Sequence, residues 1–361
     1  MARISVVVPI HNVERFLDEC LRSIAGQSFG ELDVIMVDDG STDSSAAIAA
    51  RFAAQDRRFR LVQQENAGLS AARNRGVADA TGEFLAFADS DDVLPRDAYR
   101  VLLESLDATG SDFASGGVRR IEHGRIEPAP YSTETFARTR LRTHVSEFKP
   151  LLADRTAWNT LWRRTFWDQQ GLRFPDGAWH EDIPVKLRAH VRATSVDVLS
   201  TPVYHWRLRD GDQTSITQRR LEQKSLDDRL DAVEYVYRLL VDEGPEGCAE
   251  SYRARLLRDD LRLHLNVLHH ADDAYRATFM ERVSRLLEGT TDEHYEGMPA
   301  NERLEWDLVR SRRTAELVGL LRAERRSLSP RTRQMLRRIP RPIRRVVPRS
   351  MVSRIVRSVS R

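Results

Sequence analysis

The sequence predicts an α/β protein: a mostly parallel mixed sheet flanked by helices, then a helical subdomain and a basic tail. Three observations carry this. Over the first 120 residues short apolar runs alternate with helical stretches, the pattern of parallel strands joined by crossover helices. From about Gln218 to Arg326 the periodicity is helical and heavily charged. Residues 330–361 contain 11 Arg, no Lys and no acid. The expected divisions are therefore a catalytic-size α/β domain over 1–217, a helical subdomain over 218–328 and an Arg-rich tail over 329–361.

The elements follow in order. Ile4-Ser5-Val6-Val7-Val8 reads as a buried strand, and the run to Ile10 is too short for a signal segment. Glu14 to Ala25 is helical, with Phe16, Leu17, Leu21 and Ile24 on one face. Asp33 to Val37 is a second strand, and Ser41-Thr42-Asp43 caps a helix running to about Ala54. Phe59 to Gln63 is a third strand, and Leu69 to Ala80 a helix closed by Thr81-Gly82. Phe84 to Ala88 is a fourth strand, after which Pro95 opens a helix at its first turn. Residues 120–215 are mixed and rich in Trp. The later helical region, broken at Gly244-Pro245 and between Gly289 and Pro299, suggests four or so helices.

Composition narrows the class. The formal net charge of +3 hides a basic tail of +11 on a body of 3 − 11 = −8. Cys20 and Cys248 are far apart, which gives neither a disulfide framework nor metal-ligand spacing and points to a reducing compartment. No window approaches a membrane span. Among 57 basic residues only Lys149, Lys186 and Lys224 are lysines, which reads as coding bias.

Five segments carry chemistry. Asp89-Ser90-Asp91-Asp92 places three carboxylates directly after an apolar strand. Desolvated like charges are costly, and a hard divalent cation such as Mg²⁺ or Mn²⁺ relieves them. Val37-Asp38-Asp39-Gly40 ends the second strand in two acids; a carboxylate there can accept from a nucleobase N–H, whereas Ser41, Thr42 and Asp43 suit capping. Glu181-Asp182 before Ile183-Pro184 suits either a general base or a helix cap. Arg207 and Arg209 alternate as on a strand and face one side, which suits a diphosphate or a solvated edge. Arg73, about one turn into its helix, either reaches the acids or an anion or lies on the surface. No G-x-G-x-x-G or P-loop follows the first strand, so cofactors held that way lack support.

Taken in order, Val7-Val8-Pro9-Ile10-His11-Asn12, Val37 to Asp43, Asn66 to Gly76, Asp89 to Asp92, Glu181-Asp182 and Arg207 to Thr217 resemble the inverting family-2 glycosyltransferases of GT-A fold. The resemblance covers about residues 3–217. It implies that Asp39 binds the uracil of a UDP-sugar, with Pro9 and Asn66 lining base and ribose, and that Arg73 contacts the nucleotide. Asp89 and Asp91 become the D-x-D pair: Asp91 on Mn²⁺ or Mg²⁺, Asp89 on ribose or sugar, and Asp92 a cap for the helix Pro95 opens. Asp182 becomes the general base, Glu181 orients acceptor or donor, Arg207 and Arg209 stabilise the departing diphosphate, and His205 adds a metal or phosphate contact. Relatives often carry Trp-Asn-Lys-Leu-Tyr-Arg where this chain has Trp158-Asn159-Thr160-Leu161-Trp162-Arg163, and His180 stands where Gly is frequent. The region containing Asn301-Glu302-Arg303-Leu304-Glu305-Trp306 resembles the extension of enzymes that build or decorate teichoic-acid-like wall polymers.

The implied partners are a UDP-sugar donor and a polymer or lipid-linked acceptor of the cell envelope, with homo-oligomerisation left open. In the tail, Ile339, Ile343, Val347, Met351, Ile355 and Val359 recur every four residues among Arg, while Pro340, Pro342 and Pro348 interrupt any continuous helix. Such a segment suits anionic lipid on the inner face of the plasma membrane, so the expected location is cytoplasmic and peripheral. Nucleic acid is disfavoured because the body is acidic and the tail has no stacking aromatic. The rival function is a degenerate sugar-nucleotide-binding scaffold, which intact acids at 89, 91 and 182 argue against. A nucleotidyltransferase of similar fold lacks the Gly-rich, Lys-bearing loop it needs.

Overall fold

The computed structural model describes residues 2–129, 134–209 and 219–326. Thr214 to Thr217 and the tail from Ser329 lie outside them. The described residues fall into two compact units, one up to Leu256 and one from Leu257.

The first unit is built on one sheet. β1 (Ile4–Ile10) is buried at every residue and pairs in parallel with β2 (Leu32–Asp39) on one side. β2 in turn pairs in parallel with β3 (Phe59–Gln64). On its other side β1 pairs with β4 (Phe84–Phe87), but only as far as Val7. Pro9, which has no N–H to give, therefore sits beyond that ladder. The next strands in sequence are β5 (Phe113–Glu122), β6 (Arg125–Pro128), β7 (Arg140–Thr143), β8 (Thr160–Arg163) and β9 (Val196–Arg207). Across the sheet the order is β3-β2-β1-β4-β8-β5-β9-β7, with β6 on β5. The half read from sequence is wholly parallel. The other half mixes directions: β8 is antiparallel to both β4 and β5, whereas β5 and β9 run parallel.

The helices cover the faces. α1 (Glu14–Ala25) buries Leu17, Cys20, Leu21 and Ile24, and carries Glu14 in its first turn and Arg22 in its last, as the dipole favours. α2 (Ser45–Gln55) starts later than expected. Asp43 Oδ1 accepts from the Ser45 amide, while Ser41 Oγ instead meets the Asn12 amide across the turn. α3 (Leu69–Asp79) lies against β1 so closely that a Cβ on Gly76 would come within 2.3 Å of Val7 Cγ1. That glycine lowers α3 onto the strand ends and brings Arg73, one turn earlier, over them. α4 (Ala98–Thr109) begins three residues after Pro95, because the Pro95 carbonyl is engaged by Gln27 Nε2 and the Ala98 amide. α5 (Arg164–Gln169) and α6 (Asp182–Arg192) complete this layer, and α7 (Gln223–Asp242) packs on α6. Trp162 and Trp167 bury themselves among Phe87, Phe113 and Phe174.

Beyond α7 the described residues form α8 (Cys248–Arg258), α9 (Asp260–Leu265), α10 (Asp273–Leu286), α11 (Ala300–Arg310) and α12 (Thr314–Arg326). From α7 onward these are six helices, against the four or so expected. The extra breaks carry no Gly or Pro; between α11 and α12 the turn is made by Arg312 at φ 53°. Inside the second unit Leu261, Leu265, Phe279 and Trp306 are buried.

Candidate active site

The carboxyl ends of β1, β2 and β4 gather the acids, as strand ends in an α/β sheet gather ligands. Asp39 closes β2. Its carboxylate accepts from Gln64 Nε2 at 2.7 Å, the Ala67 amide at 2.9 Å and the Gly68 amide at 2.8 Å. A carboxylate has about four acceptor positions, so one remains for an incoming N–H. Its first effect is to hold the turn that precedes α3, with Gly68 at φ 91°. Asn66 in that turn directs its amide at the His11 ring, whose Nδ1 lies 2.9 Å from the Asp39 carbonyl. His11 thereby joins the expected nucleotide wall formed by Pro9, Asp39 and Asn66, a residue the sequence reading passed over.

Arg73 is the centre of the site. Its side chain is 1% exposed, yet it meets three carboxylates. Nη1 donates to Glu181 Oε1 and Asp182 Oδ1, both at 2.5 Å, and Nη2 donates to Asp89 Oδ1 at 2.6 Å. The guanidinium also lies over the Phe174 ring, 5.1 Å from its centroid. The residue reading let Arg73 reach the acids and the resemblance gave it to the nucleotide; the structure turns both terminal nitrogens onto acids. Burial alone would lower the Arg73 pKa, but Asp182, Asp89 and Glu181 together outweigh it and hold the group protonated.

The two acids at the start of α6, Glu181 just before it and Asp182 its first residue, respond oppositely to ordinary carboxylates. Burial pushes Glu181 up to about 8 against the pull of Arg73, with Asp182 adding to the rise. Glu181 is therefore largely protonated at neutral pH. Asp182 is raised by burial and by Asp89, with Arg73 opposing. Asp182 is the first residue of α6, and its Oδ2 accepts from the Ala157 amide at 3.1 Å. Groups shifted toward neutrality in a cleft are those suited to proton transfer.

The loop after β4 is held from three sides. The Asp89 amide donates to the Tyr204 hydroxyl at 2.9 Å, and Trp158 stacks on the Tyr204 ring at 4.2 Å. Cys20 Sγ faces the Asp89 carbonyl. Asp91 Oδ2 accepts from Arg209 Nε at 2.6 Å, and the Asp91 carbonyl from Arg207 Nε at 2.7 Å. Arg207 and Arg209 both lie over the Phe16 ring, so they do face one side. Asp92 is corrected: it caps no helix. It is 1% exposed and its Oδ1 accepts from the Arg207 amide at 2.6 Å, which ties this loop to the end of β9. Burial first, and Asp91 and Asp89 after it, hold Asp92 well above the carboxylate range.

His205, half-buried on β9, exchanges backbone hydrogen bonds with Val93, two residues past Asp91. Among the described residues no group of three His, Cys, Asp or Glu side chains is placed to hold a metal ion. The donor set still fits a hard cation. Asp91 is raised by burial, with Arg209 opposing and Asp89 adding, so its environment favours an additional positive charge. Mg²⁺ and its like commonly take one or two carboxylates and complete their shell with substrate phosphates and water.

Comparison with known proteins agrees with this geometry. Residues 5–169 match the family model described as glycosyl transferase family 2. EpsH of Bacillus subtilis is 32% identical over 220 residues, 60% of this chain and 63% of EpsH. Glycosyltransferase GlyA of Streptococcus pneumoniae is 31% identical over 217 residues, 58% of this chain and 31% of GlyA. The match thus spans less than two thirds of either relative. Among solved structures, residues 1–349 of TarS from S. aureus, in complex with UDP-GlcNAc, superpose with a TM-score of 0.71 at 20% identity, over 90% of this chain and 92% of that one. The mannosyltransferase PcManGT from Pyrobaculum calidifontis, in complex with GDP-Man and Mn²⁺, gives 0.50 at 15% identity, over 89% and 86%. At these identities what is shared is the fold, the GT-A arrangement.

Proposed function

We propose, from the match of residues 5–169 to glycosyl transferase family 2, an inverting glycosyltransferase that moves a sugar from a UDP-sugar to a hydroxyl of a cell-envelope polymer or lipid-linked acceptor. One observation carries the reading: a single buried guanidinium joins Asp89, on the donor side, to Glu181 and Asp182, on the acceptor side. Leaving-group site and base are therefore held in one rigid unit.

In the proposed reaction Asp182 takes the proton of the acceptor hydroxyl. The oxygen attacks the anomeric carbon in line, and the bond to the diphosphate breaks with its electron pair leaving on UDP. A single displacement inverts the centre. Arg207 and Arg209 stand where negative charge grows, which is where fixed cations lower a barrier most. Glu181, protonated, can donate a hydrogen bond to donor or acceptor. Asp39, Pro9 and Asn66 hold base and ribose. Asp91, with His205 nearby, would hold Mn²⁺ or Mg²⁺, which supplies charge neutralisation of the diphosphate.

The test is UDP release across a set of UDP-sugars with Mn²⁺ present. Asp182→Asn should lower kcat by about 10²–10⁴, and Asp91→Ala should abolish the dependence on added cation. Full turnover in Asp182→Asn overturns the base assignment. UDP binding without turnover on any acceptor would revive the scaffold reading.

The proposal extends to location. The 11 Arg of residues 330–361 would draw the enzyme to anionic inner-leaflet lipid at about 1 kcal/mol per basic residue near the surface. Liposome flotation with and without residues 330–361 checks this, and equal flotation discards it.

A further inference from the structure

Behind Asp182 lies a second buried cluster that the proposed reaction does not use. Lys186 is 0% exposed. Its Nζ donates to Ser115 Oγ at 2.7 Å and Thr160 Oγ1 at 2.5 Å, and pairs with Asp154 Oδ2 at 3.1 Å. The ammonium also lies 4.7 Å from the centroids of both the Phe113 and Trp162 rings. His190 Nε2 reaches the same Asp154 oxygen at 3.2 Å. Burying an ammonium is expensive, so a chain with three lysines in all does not bury one without effect. Thr160 is the position where the sequence departs from its resemblance by lacking Lys; the charge is present there after all, delivered from α6.

The cluster has a direction. Asp182, Lys186 and His190 stand at four-residue intervals on α6, and each is bonded to the short segment 154–160: Asp182 to the Ala157 amide, Lys186 to Asp154 and Thr160, His190 to Asp154. Residues so spaced share one helix face, with Cβ atoms about 5–6 Å apart. Three turns of α6 are thus stitched to one wall, and this fixes the rotation at which Asp182 enters the site. The charges also alternate along the line, from Asp154 to Lys186, Asp182, Arg73 and Asp89.

We propose that Lys186 is a positioning residue for Asp182: a sealed cation that sets the orientation of α6 and stabilises the ionised base from behind without occupying its acceptor positions. The inference rests on Asp182 being the base. The charged and titratable groups facing Asp182 are Arg73 from α3, Asp89 from the loop after β4, and Glu181 and Lys186 from α6; Asp154 and His190 face Lys186 from the far side. Lys186 favours the carboxylate form of Asp182, just as Asp182 supports the ammonium against its burial. Removing the ammonium therefore raises the pH at which Asp182 loses its proton.

The experiment compares Lys186→Met with the double variant Lys186→Met, Asp154→Asn, which leaves no unpaired buried charge if the single variant fails to fold. The readouts are melting temperature, donor KM, kcat, and the acid limb of the kcat/KM profile. The donor KM should stay within about twofold, because neither residue faces the donor, while kcat falls by about tenfold to a hundredfold, the cost of a misplaced group. The acid limb should move up in Lys186→Met, by up to about 1 pH unit, because a nearby opposite charge favours a carboxylate, and by less, in the same direction, in the double variant. A purely structural role would lower the melting temperature and leave the limb in place. A folded variant with unmoved limb and unchanged kcat overturns the proposal. Asp182→Asn measured alongside separates the two readings: if it abolishes turnover while the limb stays fixed, Lys186 alone loses its role, and if it keeps full turnover, the base assignment goes and this proposal with it.

Discussion

Arg73 and Lys186 are both fully buried cations within the same unit, and they meet opposite electrostatic fates. Arg73 faces three carboxylates, which outweigh its burial and raise its pKa. Lys186 faces one carboxylate and two hydroxyls, and burial wins, lowering its pKa. The difference is one of charge balance. Around Arg73 burial first, and an excess of acid after it, raise the pKa values of Glu181 and Asp182. Around Lys186 one acid balances one cation, and Asp154 is held at about 2, where burial that would raise it is overcome by Lys186 and His190. An excess of acid gives groups that can carry protons, whereas a satisfied acid beside a cation gives a support that does not titrate near neutrality.

The largest break of this contrast is Arg73→Met. It leaves Asp89, Glu181 and Asp182 facing each other without a counter-charge. Removing one partner of a buried ionic group costs about 3–5 kcal/mol, and the acids would take up protons to lessen it. The expected result is a folded but destabilised protein by urea titration with UDP release lost, because Asp182 is then neutral. Arg73→Lys keeps the charge but not the fork that bridges three acids, so it should recover stability more than turnover. If Arg73→Met turned over normally, the joined donor and acceptor sites would not be the feature that matters.

How far the sequence reached follows the same divide. β1 to β4 were legible because parallel strands buried on both faces read as apolar runs, and α1 was legible from its stripe and its end charges. Those four strands present Asp39 and Asp89 at their ends, which is why half of the site could be named. The other half depends on pairing that leaves no local mark. β8 is only four residues long, and its place between β4 and β5 is set by Trp162 and Leu161 meeting partners some fifty to eighty residues earlier. Asp182 was named through a resemblance, but its neighbour Arg73 lies 109 residues away in sequence, and nothing in either segment signals the bond. Asp92 was misread as a cap because a helix-opening Pro95 follows it; its true partner, the Arg207 amide, is 115 residues on. Tyr204, Trp158 and Lys186 carried one weak signal each: alternation on β9, a Trp beside Asn159, and a rare lysine attributed to coding bias.

A smaller effect sharpens the comparison through pH. The Glu181 carboxyl lies at about 8 in the fold against an ordinary 4.5. Between those values the folded protein holds a proton that the unfolded chain has released, so stability falls as pH rises through the window, by at most about 1.4 kcal/mol per pH unit for one proton. Asp182, Asp91 and Asp92 are raised as well and tilt the curve the same way. Asp154 is lowered, and its opposite contribution lies below pH 4, outside the window; His190 and His205, lowered by burial, oppose the tilt inside it but are outnumbered by the raised acids. Melting temperature should therefore decline from pH 5 to pH 8, and Glu181→Gln, which keeps a neutral hydrogen-bonding group beside Arg73, should decline less steeply. The variant then gains on the native protein as pH rises. The double variant of Lys186 and Asp154 removes no raised acid and should keep the decline, steepened only by the small rise it gives Asp182. Identical slopes for Glu181→Gln and the native chain would mean that the acid surplus around Arg73 is not held as a bound proton on Glu181.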